Sequence, residues 1–337
     1  MNYKPLGKSG LIVSEFALGT MLFGEGSNRG TEEKTAQKQI DYFLDSGGNH
    51  IDCADIYAGG KSEEIVGRAV RGKRENVVLA TKVRFPMGED PNNQGLSRRN
   101  IIKGVENSLR RLQTDHLDLY YMHCWDPVTP IEESLRTFDD LVTSGKIRYA
   151  GVSNFKAWQL MKALGISEKN GWVGFVAAQY QYSLVKRDIE FEFADLLATE
   201  GVGIVPWGPL GGGFLSGKYK PDQKPTDEGR IAGTEDHTEE AWERRNTEQN
   251  WRIVELVHQL AVKYEATVPQ IALAWLKQTP NVSSVILGAR TFEQLEDNMG
   301  AVRIKIDVED MTRLNDVSAL PELYPYRMIE AYAQREF

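Results

Sequence analysis

Four residues that can move or hold a proton occur in the amino-terminal part of the chain: Asp52, Tyr57, Lys82 and His123. A lysine cation about 4 Å from a tyrosine favours phenolate by about 4 kcal/mol, which lowers the hydroxyl pKa by up to about three units. An aspartate would offset part of this effect while holding the lysine in place, and a histidine would orient an oxygen. The set suits protonation of an oxygen that gains negative charge, as when a carbonyl receives hydride.

These residues must be positioned by regular elements, and the chain alternates short apolar runs with longer amphipathic segments. The predicted strands are 15–18, 50–52, 77–82, 117–123, 149–153, 176–179, 203–207 and 285–287. Strands that alternate with helices indicate a parallel sheet. Eight such units predict a (β/α)8 TIM barrel, with an open doubly wound sheet as the alternative.

Asp52, Lys82 and His123 each end one of the predicted strands, and Tyr57 follows shortly after the second strand. The carboxyl ends of barrel strands meet on one face, so we expect the four side chains to lie together. The structural alternative is a buried ion pair of Asp52 with Lys82 and a hydrogen-bonded core histidine. Four such groups at one end of three successive strands favour catalysis.

Three further segments complete the predicted domain, which spans residues 1–337. Residues 4–13 contain a GKSG turn and predict an amino-terminal hairpin, and the chain from about Val308 predicts a carboxy-terminal helical extension. Residues 211–250 are polar and Gly-rich, which predicts a long loop after the seventh strand, either a lid or a disordered excursion.

Several helices have recognisable starts. The segment 97–112 carries apolar residues at spacings of three and four. Thr129 with Glu132 predicts a capping box around Pro130, and the same cap spacing recurs at 267–270 and 291–294.

Composition excludes several classes of protein. Forty Lys and Arg against 48 Asp and Glu give a net charge of −8, which disfavours nucleic acid as a partner. Two cysteines exclude a disulfide framework, and the five histidines have no metal-ligand spacing, so no metal is expected. We find no signal-type amino terminus and no long apolar run, and therefore expect a cytoplasmic protein without membrane insertion.

The residues around the four candidate catalytic groups resemble the aldo-keto reductase superfamily. The resemblance includes HIDCADIY at 50–57, VLATK at 78–82 and LDLYYMH at 117–123, and the Asp, Tyr, Lys, His tetrad matches position by position. It extends from LGTM at 18–21 through GVSN at 151–154 and PWGPL at 206–210 to the region of Asn298. Ser62-Glu63 and HCWD at 123–126 are most similar to the branch that contains potassium-channel beta subunits and deoxysugar ketoreductases.

This resemblance implies a barrel that binds NADPH across its carboxyl face without a Rossmann fold. It implies reduction of a small-molecule aldehyde or ketone, with Tyr57 as the proton donor. The implied nicotinamide site is formed by a stacking ring and by polar and strand-end residues, namely Trp207, Ser153, Asn154, Gln179, Thr20 and Met21.

Two interpretations compete for the segment after the seventh strand. Residues 212–218 spell GxxxxGK, but Tyr219 stands where a P-loop needs Ser or Thr to bind magnesium, so a nucleoside triphosphate site is excluded. The resemblance implies instead a strap over the cofactor pyrophosphate, with backbone amides close to phosphate. Its residues are Gly208, Pro209, Leu210, Gly211, Gly217 and Lys218.

The adenosine end of the cofactor is implied to lie beside the last strand. Arg290 precedes a predicted helix start and would pair there with the 2′-phosphate of NADP. Gly288 and Ala289 stand where many family members have Lys-Ser, and Gln294 stands where many have arginine, so NADH use is possible. Asn298 would reach the adenine.

Two other functions are compatible with the same residues. Lys82 beside an acid would suit a Schiff-base aldolase. The likeness to channel beta subunits allows a cofactor-loaded regulatory subunit. Substrate choice would come from the loops 21–28, 85–94 and 125–129 together with the long loop, and Phe85 and Trp125 suggest an apolar wall.

Overall fold

The computed structural model describes residues 1–24, 30–221, 223–225, 231 and 241–333. The chain begins with an antiparallel pair, β1 (Tyr3–Pro5) and β2 (Ile12–Ser14), which confirms the predicted hairpin. Gly7 in its turn has a φ of +58°, and a Cβ there would lie 2.5 Å from the carbonyl oxygen of Gly201. Glycine therefore permits both the turn and its close approach to the neighbouring backbone.

Within the described residues, eight parallel strands follow one another in chain order around the sheet, and the last lies beside the first. Backbone bonds from Ser283 N to Ile204 O (2.9 Å) and from Ile286 N to Pro206 O (3.0 Å) join the two ends of the sheet. The predicted (β/α)8 class is confirmed, and the doubly wound alternative is wrong. The strands are β3 (Phe16–Gly19), β4 (His50–Asp52), β5 (Val78–Val83), β6 (Leu117–Met122), β7 (Ile147–Ser153), β8 (Phe175–Gln179), β9 (Gly203–Ile204) and β10 (Val285–Leu287).

The described ranges contain twelve α-helices, most of them between successive strands. The predicted apolar face of the segment 97–112 is buried at Ile101, Val105 and Leu112. The helices are α1 (Glu33–Asp45), α2 (Lys61–Ala69), α3 (Arg98–Leu112), α4 (Ile131–Thr143), α5 (Ala157–Asn170), α6 (Phe193–Glu200), α7 (Trp242–Arg245), α8 (Glu248–Lys263), α9 (Val268–Gln278), α10 (Phe292–Met299), α11 (Val308–Val317) and α12 (Tyr326–Tyr332).

The capping boxes predicted at the starts of α9 and α10 are present. The one predicted at α4 is wrong, because Pro130 occupies the N-cap position without a side-chain cap. The Thr129 hydroxyl instead donates to Asp126 Oδ2 at 2.6 Å. A carboxylate is a stronger acceptor than a neutral group, and it holds this hydroxyl away from the helix amides.

Strand alternation decides which side chains enter the barrel. Along β5, Val78 and Ala80 belong to the interior cluster, whereas Leu79 and Val83 pack outward against the helices. Lys82 comes two residues after Ala80 and therefore enters the interior at the carboxyl end of the strand. The same alternation along β4 brings its last residue inward.

Parts of two predicted loops lie outside the described residues: 25–28 of the loop 21–28, and 222, 226–230 and 232–240 of the loop 211–250. The described ends of the longer loop include a 3-10 helix, Gly211–Ser216, and α7. Phe214 packs on Trp251 with ring centroids 4.7 Å apart, and Trp242 lies 6.3 Å from Phe214. Packing of these aromatic rings therefore holds the described ends of the long loop against α8.

The carboxy-terminal helices predicted from about Val308 are present as α11 and α12. Trp275 Nε1 donates to Asn315 Oδ1 at 2.8 Å, and Lys263 Nζ pairs with Asp310 Oδ2 at 2.5 Å. These bonds attach α11 to α8 and α9. In the part of the chain that the structure describes, no helix combines the length and apolar character needed to cross a membrane.

Candidate active site

Lys82 and Asp52 form an ion pair inside the carboxyl end of the barrel. Lys82 Nζ lies 2.6 Å from Asp52 Oδ2 and 2.5 Å from the carbonyl oxygen of Cys53. The two side chains expose 0% and 3% of their surfaces. Neither charge is stable alone at such a depth, so each requires the other.

The second oxygen of Asp52 is held by Gln179. Gln179 Nε2 donates to Asp52 Oδ1 at 2.8 Å, and the Gln179 backbone carbonyl accepts from Ser153 Oγ at 2.7 Å. Thr20 Oγ1 donates to the backbone carbonyl of Asp52 at 3.0 Å. Three residues that the resemblance assigned to the cofactor are therefore also part of the scaffold around Asp52.

Tyr57 stands at the start of a 3-10 turn, Tyr57–Gly60, beyond the end of β4. Lys82 Nζ donates to its hydroxyl oxygen at 3.3 Å. Burial raises the pKa of Tyr57 above its ordinary value, and the charge of Lys82 opposes this rise. The expected net lowering of the pKa is wrong, because burial disfavours phenolate more than Lys82 favours it.

The amine of Lys82 is protonated at neutral pH. Burial by itself would lower the pKa of Lys82, but the negative charge of Asp52 and the contact with Tyr57 raise it above its ordinary value. The ammonium therefore acts as a fixed positive charge between a carboxylate and a hydroxyl.

His123 directly follows β6 and faces the same space. Its ring lies 6.2 Å from the Tyr57 ring and 4.7 Å from the Phe85 ring, edge-on to both. Burial lowers the pKa of His123 well below its ordinary value, and the positive charges of Lys82 and Arg84 lower it further. The imidazole is therefore neutral near pH 7 and presents one N–H donor.

Asn154 joins the ends of β6 and β7 beside His123. Its Nδ2 donates to the His123 carbonyl at 2.9 Å and to Ser153 Oγ at 2.8 Å. Cys124 Sγ lies 3.7 Å from the Asn154 carbonyl oxygen. Asn154 is exposed, so one side of it remains open to a ligand.

The candidate cofactor residues after β3 and β9 continue across the same face. Trp207 is half-buried and forms an isolated parallel β-bridge with Gln181, just beyond β8. Met21 lies at the surface after β3. The turn after Trp207 has positive φ at several glycines and contains Gly208, Pro209, Leu210, Gly211, Gly217 and Lys218.

The segment after β10 runs from Gly288 into α10, beside the start of α1. Arg290 N donates to Gln294 Oε1 at 2.8 Å, so the Gln294 side chain serves the helix cap. A surface cavity of about 300 Å³ lies here, and its lining includes Arg290 and Lys38. Asn298, one turn further along α10, is buried.

Three buried polar atoms near the Gly-rich turn have no hydrogen-bond partner among the described residues: Gln181 Nε2, Ser183 Oγ and Ser216 Oγ. A Cβ at Gly211 would lie 3.9 Å from Ser183 Oγ, so this hydroxyl lies beside the turn. Buried donors of this kind are normally satisfied, and phosphate oxygens accept from hydroxyl and amide groups. The donor set therefore fits a cofactor with a diphosphate.

Tyr121 has no predicted role, yet it also enters the interior near the ion pair. Its ring centre lies 6.0 Å from Lys82 Nζ, and it occupies the space beside Gly151, where a Cβ would meet the ring at 2.5 Å. Alternation along β6 contains the signal, because Tyr121 follows the interior residue Leu119 by two positions.

Comparisons with known proteins agree with this geometry. Residues 15–319 match the model of the Aldo/keto reductase family. The uncharacterized oxidoreductase YrpG of Bacillus subtilis is 41% identical over 97% of this chain and 100% of its own length. A probable voltage-gated potassium channel subunit beta of Arabidopsis thaliana is 37% identical, covering 90% of this chain and 92% of its own. Norsolorinic acid reductase of Aspergillus flavus is 32% identical, covering 95% and 82%.

These relatives confirm the resemblance identified from the sequence, including its likeness to channel beta subunits, and they support an oxidoreductase that acts on carbonyl groups. The family model covers more than half of the chain, and the relatives align over nearly all of it. The chain belongs to the aldo/keto reductase family.

Proposed function

We propose that this protein is an NADP(H)-dependent aldo-keto reductase that converts an aldehyde or ketone into an alcohol. The observation that carries the proposal is the 3.3 Å contact between the Tyr57 hydroxyl and Lys82 Nζ, beside the ring of His123. This arrangement supports proton donation to an oxygen that is becoming an alkoxide. We propose further that residues 1–337 form one domain and act in the cytoplasm, where two unpaired cysteines persist.

Tyr57 is the proton donor in this proposal. Its raised pKa keeps the hydroxyl protonated near pH 7, so a proton is present to be given. Lys82 already donates to the hydroxyl oxygen and stabilises the phenolate that remains after transfer. Asp52 keeps Lys82 charged, and Gln179 keeps Asp52 in place.

His123 orients the carbonyl oxygen. Its neutral imidazole offers an N–H to that oxygen without competing as an acid, because its pKa lies well below the ordinary value. With Tyr57 on the other side, the oxygen receives two donors at the point where negative charge develops.

NADPH, when bound, supplies the hydride for the carbonyl carbon. Ser153, Asn154 and Gln179 would hold its carboxamide and Trp207 would stack on its nicotinamide, while Thr20 and Met21 line the same site. The Gly-rich turn 208–218, with the unpartnered donors beside it, would hold the diphosphate. Arg290 and Lys38 would face a 2′-phosphate in the cavity at the start of α10, and Asn298 the adenine. The Gln294 side chain serves the cap of α10 and stands where many family members have an arginine, so the site is also compatible with NADH.

The substrate is a small-molecule carbonyl compound with an apolar portion. Phe85 lies edge-on to His123, and Trp125 packs on Phe155 with ring centroids 5.0 Å apart. These rings form an apolar wall next to the proposed site of the carbonyl oxygen. One relative is named a norsolorinic acid reductase, which supports reduction as the reaction.

Two other functions remain as outcomes of the test. A regulatory subunit is favoured by the relative that is named a channel subunit beta. A Schiff-base aldolase is disfavoured because the amine of Lys82 is held as an ammonium by Asp52, and an ammonium is not a nucleophile.

The test is NADPH oxidation by the purified protein against a panel of aromatic aldehydes, dicarbonyls and keto sugars. We expect turnover by the wild type, and a loss of roughly 100-fold or more in Tyr57→Phe with an unchanged Kd for NADPH. Tyr149→Phe is the matched control, because Tyr149 lies in β7 and packs against the interior cluster. Full activity of Tyr57→Phe would overturn the proton assignment, and NADPH binding without turnover by the wild type would favour the regulatory function.

A further inference from the structure

A buried carboxylate behind the site has no part in the proposed chemistry. Glu63 lies in α2 with its side chain completely shielded from solvent. Its Oε1 accepts from Thr81 Oγ1 at 2.6 Å, and its Oε2 pairs with Arg111 Nε at 2.6 Å. One carboxylate therefore joins α2 to both β5 and α3.

Thr81 connects this carboxylate to Lys82. The two residues are neighbours in β5, so their side chains leave the strand on opposite faces. Glu63 thus holds the outer face of β5 directly behind the point at which Lys82 enters the barrel. The backbone of Lys82 is held as well, because Asp55 N donates to the Lys82 carbonyl oxygen at 3.3 Å.

Arg111 connects the same carboxylate to the turn that carries Tyr57. Residues 58–60, an alanine and two glycines, have φ values of +48°, +64° and +97°. Arg111 packs against the last of them, where a Cβ at Gly60 would lie 2.8 Å from Arg111 Cδ. Left-handed backbone at an alanine is strained and persists where its surroundings determine it. The Arg111 side chain, fixed by Glu63, supplies such surroundings.

A second carboxyl shares this cluster. Asp55 is buried, and its Oδ1 has no hydrogen-bond partner among the described residues. Burial and the negative charge of Glu63 raise the pKa of Asp55 to about 7, whereas Arg111 and Lys82 act to lower it. The charge of Arg111, which pairs with Glu63, therefore also acts on the second buried carboxyl group.

We propose that Glu63 and Arg111 are positioning residues that set the distance between the Tyr57 hydroxyl and Lys82 Nζ. They touch neither substrate nor cofactor and act through Thr81 on one side and the 58–60 turn on the other. This inference rests on the proposed reductase function. A small change in a catalytic contact is expected to lower the rate while leaving cofactor binding intact.

Two variants separate the two connections. Glu63→Gln removes the negative charge that pairs with Arg111, and its single amide oxygen no longer gives Arg111 and Thr81 an acceptor oxygen each. Thr81→Val keeps the Arg111 pair and removes only the hydroxyl. The matched control is Asp118→Asn, because Asp118 pairs with Arg74 at 2.7 Å and accepts from Leu79 N, at the amino-terminal ends of β6 and β5.

We expect kcat to fall roughly 10- to 100-fold in Glu63→Gln and less in Thr81→Val, with the Kd for NADPH within about two-fold of the wild type. In the direction of alcohol oxidation, which needs the phenolate, the rise of kcat with pH should move to higher pH as Lys82 recedes from Tyr57. A residue with only a structural role would lower stability without moving this profile, which is the result expected for Asp118→Asn.

Unchanged kcat and an unchanged pH profile in folded Glu63→Gln would overturn the proposal. If that variant does not fold, Thr81→Val decides, and wild-type kinetics in it would overturn the proposal equally. Failure of the proposed function looks different, because the wild type would then show no turnover or Tyr57→Phe would remain active.

Discussion

Gln179 on β8 donates to Asp52 on β4 at 2.8 Å across the interior of the barrel. The strand order separates β4 from β8 by four positions, so the contact joins opposite walls. With Lys82 on its other oxygen, the Asp52 carboxylate is bound on both sides and cannot turn away. The position of the ammonium beside Tyr57 is thereby set by the barrel itself and not by a loop.

The first prediction concerns the stability of the ion pair. Lys82→Met leaves the Asp52 charge buried without its partner, and the free energy of unfolding should fall by about 3–5 kcal/mol. Adding Asp52→Asn removes that charge and should recover more than half of the loss. Urea unfolding of the two variants measures this, and equal stability of Lys82→Met and the wild type would contradict the account.

The second prediction concerns the buried histidines. Burial lowers the pKa of His50 to about 4 and that of His123 well below its ordinary value of 6.5. Below pH 6.5 these histidines bind protons in the unfolded chain but stay neutral in the folded chain. The free energy of unfolding should therefore fall as the pH falls towards 4. His50→Gln should flatten this slope in unfolding experiments between pH 4 and 7, and an unchanged slope would contradict a neutral His50.

The third prediction concerns Asp55, whose shift has the opposite consequence. Its pKa is raised from 3.8 to about 7, so between these values the folded chain keeps a proton that the unfolded chain has lost. Its contribution to stability therefore falls as the pH rises, by up to about 4 kcal/mol. Relative to the wild type, Asp55→Asn should gain stability between pH 5 and pH 8.

The control for that series is Asp316→Asn, because Asp316 is exposed. The difference in the free energy of unfolding between Asp316→Asn and the wild type should be the same at pH 5 and at pH 8. A pH-independent difference for Asp55→Asn as well would show that Asp55 is ionised throughout.

The fourth prediction concerns cofactor choice. Arg290→Ala removes a guanidinium from the cavity at the start of α10 and should weaken NADPH binding roughly 10-fold, with little effect on NADH. Titration by nucleotide fluorescence measures both constants. Lys305→Ala, at an exposed position beyond α10, is the control. If the binding of NADPH and of NADH weakened equally, Arg290 would not be the residue that pairs with the 2′-phosphate.

Much of the barrel could be predicted because its signals are local. The strand ends at Asp52 and within one residue of Lys82 and His123 follow from short apolar runs. Alternation in β5 explains why Lys82 enters the interior. The hairpin and two capping boxes likewise depend on residues that are close in the chain.

The contacts that were not predicted depend on three-dimensional proximity. Neither the bond from Gln179 to Asp52 nor the pairing of Glu63 with Arg111 has a local sequence signal. The direction of the Tyr57 pKa was wrong for a related reason, because the cost of burial depends on the finished packing.

Transfer of deuterium from NADPH labelled at the nicotinamide C4 to the carbonyl carbon of a substrate would report the proposed hydride transfer itself. The account predicts that the wild type yields an alcohol carrying one deuterium on the former carbonyl carbon, detected by mass spectrometry. It predicts that Tyr57→Phe, which still binds the cofactor, forms the labelled product at a rate lower by roughly 100-fold or more. Tight NADPH binding by the wild type without transfer to any carbonyl compound would contradict it.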